Sequence, residues 1–140
     1  LSEIRTRFDY CLLDAPAGLG TGFLLATAAA DRCIVVTTSD ASSLRDAQHT
    51  VMELNHFGPG CLHLVVNRVR KKLLRSMHAT IDDAIDTAGL PLIGVIPEDS
   101  EVPAALNRGV ALRDFNFYAA RAYENIARRL TGEKVPLMRI

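Results

Sequence analysis

Short apolar runs alternate with amphipathic stretches along this chain. Each run is almost continuously apolar, too short for a typical helix and bounded by turn residues, which is typical of strands buried on both faces. Four such runs cover residues 8–14, 32–38, 61–67 and 90–96. Apolar residues at helical spacing predict helices over residues 19–30, 41–56, 81–88, 102–107 and 119–130. Strands that alternate with helices in this way predict right-handed βαβ units around a parallel sheet.

Capping residues stand where these elements should begin and end. Ser39 and Asp40 offer N-cap side chains to the helix that begins near residue 41, and Ser43 with Asp46 has the spacing of a capping box. Gly132 follows the last helical run and predicts its end. The local signals therefore agree with the apolar pattern.

Length and composition fit one ordinary domain. The chain has 140 residues, of which 49% are hydrophobic, and this is enough for a core. Its 16 basic and 16 acidic residues cancel, so no overall field draws the chain to nucleic acid. We predict one α/β domain over residues 1–140 with no nucleic-acid partner. We interpret one local basic run as a solvated helix face: Arg68, Arg70, Lys71, Lys72 and Arg75.

The cysteines and histidines indicate neither a disulfide framework nor a zinc site. Cys11, Cys33 and Cys61 lie in predicted strands without a CxxC pair, so we expect buried free thiols and a reducing, cytoplasmic setting. The histidines form no HExxH or similar pair. Nothing in the sequence resembles a signal peptide or a transmembrane span.

One carboxylate, Asp14, stands where the first predicted strand ends. Pro16 and Gly18 prevent a smooth continuation of that strand. Ligands of open α/β sheets bind outside the carboxyl ends of the strands, so Asp14 is well placed for chemistry. Asp is also a preferred N-cap residue. The local pattern leaves both roles open, a chemical group or a cap for the following helix.

The glycines after Asp14 permit a dinucleotide-binding site. Such a fold would use Gly18, Gly20 and Gly22 as its phosphate loop, and Asp40 would bind the ribose at about the expected spacing. The pattern is loose, because Phe23 occupies the place of the third glycine and Asp14 separates the strand from the glycines.

The same turn also permits a nucleoside triphosphatase. Asp14 would hold Mg²⁺ through a water molecule, and Gly18 would bring its backbone N–H close to the γ-phosphate. Such a site needs a GxxxxGK[ST] phosphate loop, and the chain contains none. Since the chain begins at Leu1 without a Met, we interpret it as a fragment or processed product whose phosphate loop lies upstream. The exposed edge of the first strand should then promote association, or be covered by that upstream segment.

Five segments in order along the chain resemble the MinD cell-division ATPases of the MinD/ParA group. Residues 14–22, DAPAGLGTG, are similar to the family's DSPAGIExG, and residues 36–47 to VTTPEVSSIRDAD. Residues 64–68, 90–99 and 105–109 are similar to LVVNR, IPLLGVIPED and ATNRG. The resemblance implies part of a P-loop NTPase fold, a mostly parallel sheet with flanking helices in three α/β/α layers. The N-terminal strand and the Walker A loop of that fold are absent from this chain.

The resemblance also implies roles for individual residues. Asp14 would hold Mg²⁺ through water and position the attacking water, and Gly18 would sense the γ-phosphate. Asn67 would hydrogen-bond the adenine with Arg68 beside the base, although Asn67 also fits a plain strand-end turn. The remaining wall around the base would come from Pro97, Glu98, Asp99 and Val102. Contacts across an ATP dimer and with partner proteins would come from Asp40, Arg45 and Asp46.

For the intact protein, the resemblance implies an ATPase of bacterial division-site placement that uses ATP and Mg²⁺. ATP would drive homodimerisation, recruitment of a MinC-like division inhibitor, and attachment to the inner face of the cell membrane through a C-terminal helix absent from this chain. A MinE-like activator would stimulate hydrolysis. The present chain should neither bind ATP tightly nor hydrolyse it. The alternatives are a nucleotide-free module that binds a partner through residues 43–57, or the dinucleotide-binding domain.

Overall fold

In the part of the chain that the structure describes, three strands form a parallel sheet, and strands that follow each other in the sequence lie side by side. The computed structural model describes residues 2–58, 60–70, 85–86, 88–115 and 117–138. The strands are β1 (Cys33–Thr37), β2 (Leu62–Val69) and β3 (Leu92–Pro97), in the order β1-β2-β3. The helices are α1 (Ser2–Arg5), α2 (Thr21–Ala29), α3 (Ala41–Glu53), α4 (Glu101–Asn107) and α5 (Tyr118–Leu130), with a 3₁₀ turn at Leu112–Asp114. The predicted parallel α/β sheet is confirmed.

Helices cover both faces of the sheet and so produce three layers. On one face, Phe23 of α2 and Ala47 of α3 pack against the strands. The strand residues of this first core are Val35, Leu62, Leu64, Val66 and Val69. On the other face α5 packs against β3, and this second core contains Val65, Ile93, Ile96, Ala119, Ala122 and Ile126. Apolar strands with helices on both faces are the arrangement that parallel sheets require.

Residues 8–14, predicted as the first strand, do not form one. Phe8, Tyr10 and Leu12 are 65%, 72% and 90% exposed, so this apolar run is not buried either. Among the described residues β1 and β3 each pair only with β2, and residues 8–14 pair with none of the three strands. A strand needs a neighbour to satisfy its N–H and C=O groups. The predicted edge at residues 8–14 is therefore wrong, and the outer strands of the described sheet are β1 and β3.

The cysteine prediction is partly wrong for the same reason. Cys11 lies in the unpaired segment and is exposed, whereas Cys33 and Cys61 are half-buried, and Cys33 packs against the first core. All three thiols are free, as predicted.

Most predicted helix boundaries hold within a few residues. The helix predicted from residue 19 begins at Thr21, because Gly20 is its N-cap. The predicted capping box of Ser43 and Asp46 does not form, since Asp40 caps α3. Most of the helix predicted over residues 81–88 lies outside the described residues. Within the described ranges, no helix has the length and apolar composition needed to cross a membrane.

Candidate functional site

A pocket of about 290 Å³ lies at the carboxyl ends of the three strands. The segment after β1, the end of β2 and the residue after β3 all contribute to it, because parallel strands end at the same edge of a sheet. The residues that line it are Thr38, Ser39, Asp40, Arg68, Arg70 and Glu98. The structure thus brings together the predicted site residues Asp40, Arg68 and Glu98.

A bulge in β2 places the arginines at this pocket. The register with β3 shifts between Val66, which pairs with Val95, and Val69, which pairs with Pro97. In a regular strand, side chains on the same face are an even number of positions apart. Val66 and Val69 are three positions apart, yet both are 0% exposed in the first core. Arg68, inside the bulge, has a φ of 57°, a left-handed conformation that is uncommon outside glycine. Backbone strain of this kind clusters at functional sites.

Asn67 stabilises the bulge from within. Its Oδ1 accepts a hydrogen bond of 2.9 Å from the backbone N–H of Arg68. This local bond ties the side chain of Asn67 to the bulge, but β2 continues to Val69, so Asn67 lies within the strand and not in a turn after it. Its role in reading a base stays a prediction.

Glu98 links the two arginines. Its Oε1 lies 3.1 Å from Nη2 of Arg68, and its Oε2 lies 2.7 Å from Nε of Arg70. The backbone N–H of Glu98 donates to the carbonyl oxygen of Val69 at 2.9 Å. Both the backbone and the carboxylate of Glu98 therefore have partners. The hydrogen bond from Arg70, followed by the one from Arg68, lowers the pKa of Glu98 below its ordinary value. Two cationic groups therefore share one ionised carboxylate.

The prediction that Arg68 and Arg70 lie on a solvated helix face is wrong, and no role at the site was predicted for Arg70. Arg68 lies near the end of β2 and Arg70 directly follows this strand, and both residues line the pocket. The spacing along the strand contained no usable signal, because the bulge at Arg68 breaks the regular alternation of faces in β2. Lys71, Lys72 and Arg75 lie outside the described residues.

Asp40 caps α3, and both oxygens of its carboxylate accept hydrogen bonds. Oδ1 accepts hydrogen bonds from the backbone N–H of Ser43 at 3.0 Å and from Oγ of Ser42 at 2.8 Å. Oδ2 accepts from Oγ of Ser43 at 2.9 Å and from Oγ1 of Thr38. The bond from Thr38, followed by the others, lowers the pKa of Asp40 far below its usual range. A carboxylate so occupied is poorly placed to bind the ribose of a dinucleotide.

This cap predicts a specific acid sensitivity. The pKa of Asp40 is lower in the folded chain, so ionised Asp40 stabilises the fold above its unfolded-state pKa of about 3.9. The stabilisation is lost as the pH falls from that value through the folded pKa. Between about pH 5 and about pH 2.5, the free energy of unfolding should therefore fall less steeply in Asp40→Asn than in the parent chain. Urea denaturation measures this slope, with Asp46→Asn on the same helix as control. Equal slopes for Asp40→Asn and the parent chain would contradict the prediction.

The predicted catalytic residues lie in the segment before α2 and do not line the pocket. Asp14 is exposed and makes no hydrogen bond or ion pair within the described ranges. The N-cap of α2 is Gly20, so the alternative that Asp14 caps this helix is wrong. Gly18 has a φ of 87°, which requires glycine, and a Cβ on Gly22 would lie 2.6 Å from Cγ of Pro16. Gly18 therefore shapes this turn, and Gly22 leaves room for Pro16 against the first turn of α2.

The remaining predicted residues also lie outside the pocket lining. Pro97 ends β3, and Oδ1 of Asp99 accepts a 3.1 Å hydrogen bond from the N–H of Glu101 at the start of α4. Val102 packs against the second core. Arg45 and Asp46 are exposed on α3, beside the buried Ala47.

The carboxylates of the described residues provide few ligands for Mg²⁺. Within the described ranges, no group of three His, Cys, Asp or Glu side chains could hold a metal ion. A single exposed carboxylate such as Asp14 is still sufficient for Mg²⁺, which keeps several waters and often uses one or two carboxylates together with substrate phosphates.

Curated relatives of the chain are septum site-determining proteins. The chain is 33% identical to MinD of Synechocystis over 99% of its own length and 53% of the relative. It is 38% identical to MinD of Bacillus subtilis over 98% of its length and 52% of the relative. The chain therefore spans about half the length of the curated relatives it matches. No protein-family profile matches it.

Solved structures agree with these relatives. The chain superposes on MinD of Aquifex aeolicus with a TM-score of 0.88 and 33% identity, covering 99% of this chain and 60% of that one. The MinC:MinD complex of Aquifex aeolicus matches with the same TM-score and identity, over 99% of this chain and 58% of that one. MinD of Pyrococcus horikoshii, solved with Mg-ADP, has a TM-score of 0.75 at 23% identity over 94% of this chain and 54% of that one, and shows the fold alone. The three-layer fold is thus part of the P-loop NTPase fold, as predicted.

Proposed function

Since this chain is MinD-like and matches the C-terminal half of the MinD proteins, we propose that it forms the base-binding part of an ATPase that places the division site. The proposal rests on one observation above all. Arg68 and Glu98 stand 30 residues apart in the sequence and belong to the two segments whose resemblance implies the adenine wall. They meet at the carboxyl edge of the sheet, where α/β folds bind their ligands.

The proposed site divides into a base side and a phosphate side. On the base side, Asn67 hydrogen-bonds adenine, Arg68 packs beside it, and the wall is completed by Pro97, Glu98, Asp99 and Val102. On the phosphate side, Asp14 holds Mg²⁺ through water and positions the attacking water, while the N–H of Gly18 approaches the γ-phosphate. When bound, Mg²⁺ neutralises charge that develops on the phosphates during transfer to water.

The exposed face of α3 supports a role in assembly. Arg45 and Asp46 are accessible there, and charged residues of this kind steer association and set partner choice. We propose that this face, together with Asp40, contacts a second copy in the ATP state, and that it contacts a MinC-like inhibitor and a MinE-like activator. Attachment of the intact, cytoplasmic protein to the inner face of the membrane belongs to the same proposal.

A titration of this chain with Mg·ATP tests the division of the site. The chain contains no GxxxxGK[ST] loop, so it lacks the backbone cradle and the lysine that hold the phosphates. We expect calorimetry to detect no binding in the micromolar range by the 140-residue chain. The complete product of the gene that encodes this chain should bind Mg·ATP and hydrolyse it. Micromolar binding by the chain would contradict the prediction, and no turnover by the complete product would contradict the proposed function.

A further inference from the structure

We propose that Arg70 is a positioning residue of the nucleotide site, which orients Glu98 and Arg68 on its base side. The inference rests on the proposed function, because it assigns Arg70 a role in that same site. Arg70 is outside the segments that resemble the MinD family, and nothing in the sequence pattern marked it as functional.

The geometry of Glu98 is the first step of the argument. Glu98 follows β3, and its backbone is fixed by the 2.9 Å hydrogen bond from its N–H to the carbonyl oxygen of Val69. A fixed backbone leaves the carboxylate free to rotate about its side-chain bonds. The 2.7 Å hydrogen bond from Nε of Arg70 to Oε2 is the shorter of its two ion pairs and removes that freedom.

The second step concerns Arg68, whose side chain is oriented in turn by Glu98. The other oxygen of Glu98, Oε1, lies 3.1 Å from Nη2 of Arg68. Arg68 already has its backbone direction set by the bulge, at a φ of 57°. Arg70 therefore fixes one oxygen of Glu98, and the other oxygen then fixes the guanidinium of Arg68 at the pocket.

The third step distinguishes positioning from structural support. The side chains of Arg68 and Arg70 are 68% and 67% exposed, and exposed ion pairs contribute little to the stability of a fold. Neither arginine belongs to a core. Loss of Arg70 should therefore leave the fold intact and disturb only the groups that face the ligand.

Nucleotide binding by the complete gene product tests this role. Arg70→Gln should raise the dissociation constant for Mg·ATP about fivefold, because Glu98 and Arg68 lose their fixed orientation, and it should leave kcat within about twofold. Binding of Mg·tripolyphosphate, which lacks the base and the ribose, should not change. Arg70→Lys should restore part of the affinity, since it keeps the charge but not the directed Nε donor. Arg121→Gln, at an exposed arginine on α5, is the matched control.

A second readout uses the present chain and needs no nucleotide. Arg70 is the largest cause of the lowered pKa of Glu98, so Arg70→Gln should raise the carboxyl pKa that ¹³C NMR titration measures for Glu98. Unchanged Mg·ATP affinity in Arg70→Gln, with turnover still dependent on Asp14, would overturn the positioning role and leave the proposed function standing. An equal loss of ATP and tripolyphosphate affinity would also overturn it. Failure of the parent gene product to bind Mg·ATP would overturn both.

Discussion

Replacing Asp14 with alanine should lower the ATP turnover of the complete gene product by roughly 100-fold or more. The proposed carboxylate holds the Mg²⁺ shell and positions the attacking water, and alanine can do neither. The fold should not be affected. Asp14 is exposed, makes no hydrogen bond or ion pair within the described ranges, and does not cap α2. A loss of turnover at unchanged thermal stability would therefore show that Asp14 takes part in the reaction and not in folding.

The segment itself provides the matched control for Asp14. Asp9 is a second exposed carboxylate in the same stretch, outside any helix or strand of the structure. Steady-state phosphate release by Asp9→Ala should stay within about twofold of the parent, whereas Asp14→Asn should behave like the alanine variant. Full turnover by Asp14→Ala would remove the catalytic assignment on which the proposed ATPase depends.

Replacing Gly94 with valine should give the largest loss of stability, about 3 kcal/mol. Gly94 lies in β3 directly beneath α5, and a Cβ added there would clash with Cγ1 of Ile126 and lie 2.6 Å from its Cδ1. Ile126 is buried in the second core, so its side chain has little room to move aside. The valine therefore forces α5 away from the sheet. Urea denaturation of this chain, followed by circular dichroism, measures the effect.

A control and a rescue separate overpacking from other effects of a larger side chain at a glycine. Gly58→Val places the same group where an added Cβ meets nothing within 4 Å, so it should cost much less. Combining Gly94→Val with Ile126→Ala makes room for the valine, so the double variant should be more stable than the sum of the single effects predicts, by about 1 kcal/mol or more. Strict additivity of the two changes would show that Gly94 and Ile126 do not press on each other.

Local signals in the sequence were sufficient for most elements. Asp40 caps α3 as its position before an amphipathic run predicted, and Gly132, with a φ of 93°, ends α5. Capping and left-handed glycines depend on a few neighbouring residues, so they can be read without knowledge of the fold. The apolar runs that became β1, β2 and β3 were also found within a few residues of their bounds.

The candidate site was predicted only in part. Arg68 and Glu98 came from the family resemblance, and the structure brings both to one pocket. Arg70 was not predicted because its ion pair is with Glu98, a residue far away in the sequence, and such a contact leaves no local pattern. Whether Asp14 and Gly18 act together with the base side was a prediction from the resemblance, and it awaits the Asp14 experiment.

The sequence by itself determined the alternation of strands and helices, the caps that bound them and the parallel direction of the sheet. These follow from the spacing of apolar residues and from local hydrogen bonds. Only the tertiary structure decided which apolar run pairs: residues 8–14 match a buried strand in composition, yet they lie exposed and pair with no strand among the described residues. It also decided the bulge at Arg68 and the meeting of Arg70 with Glu98. Strand pairing and side-chain contacts between distant segments are non-local, and a pattern of neighbours along one chain does not contain them.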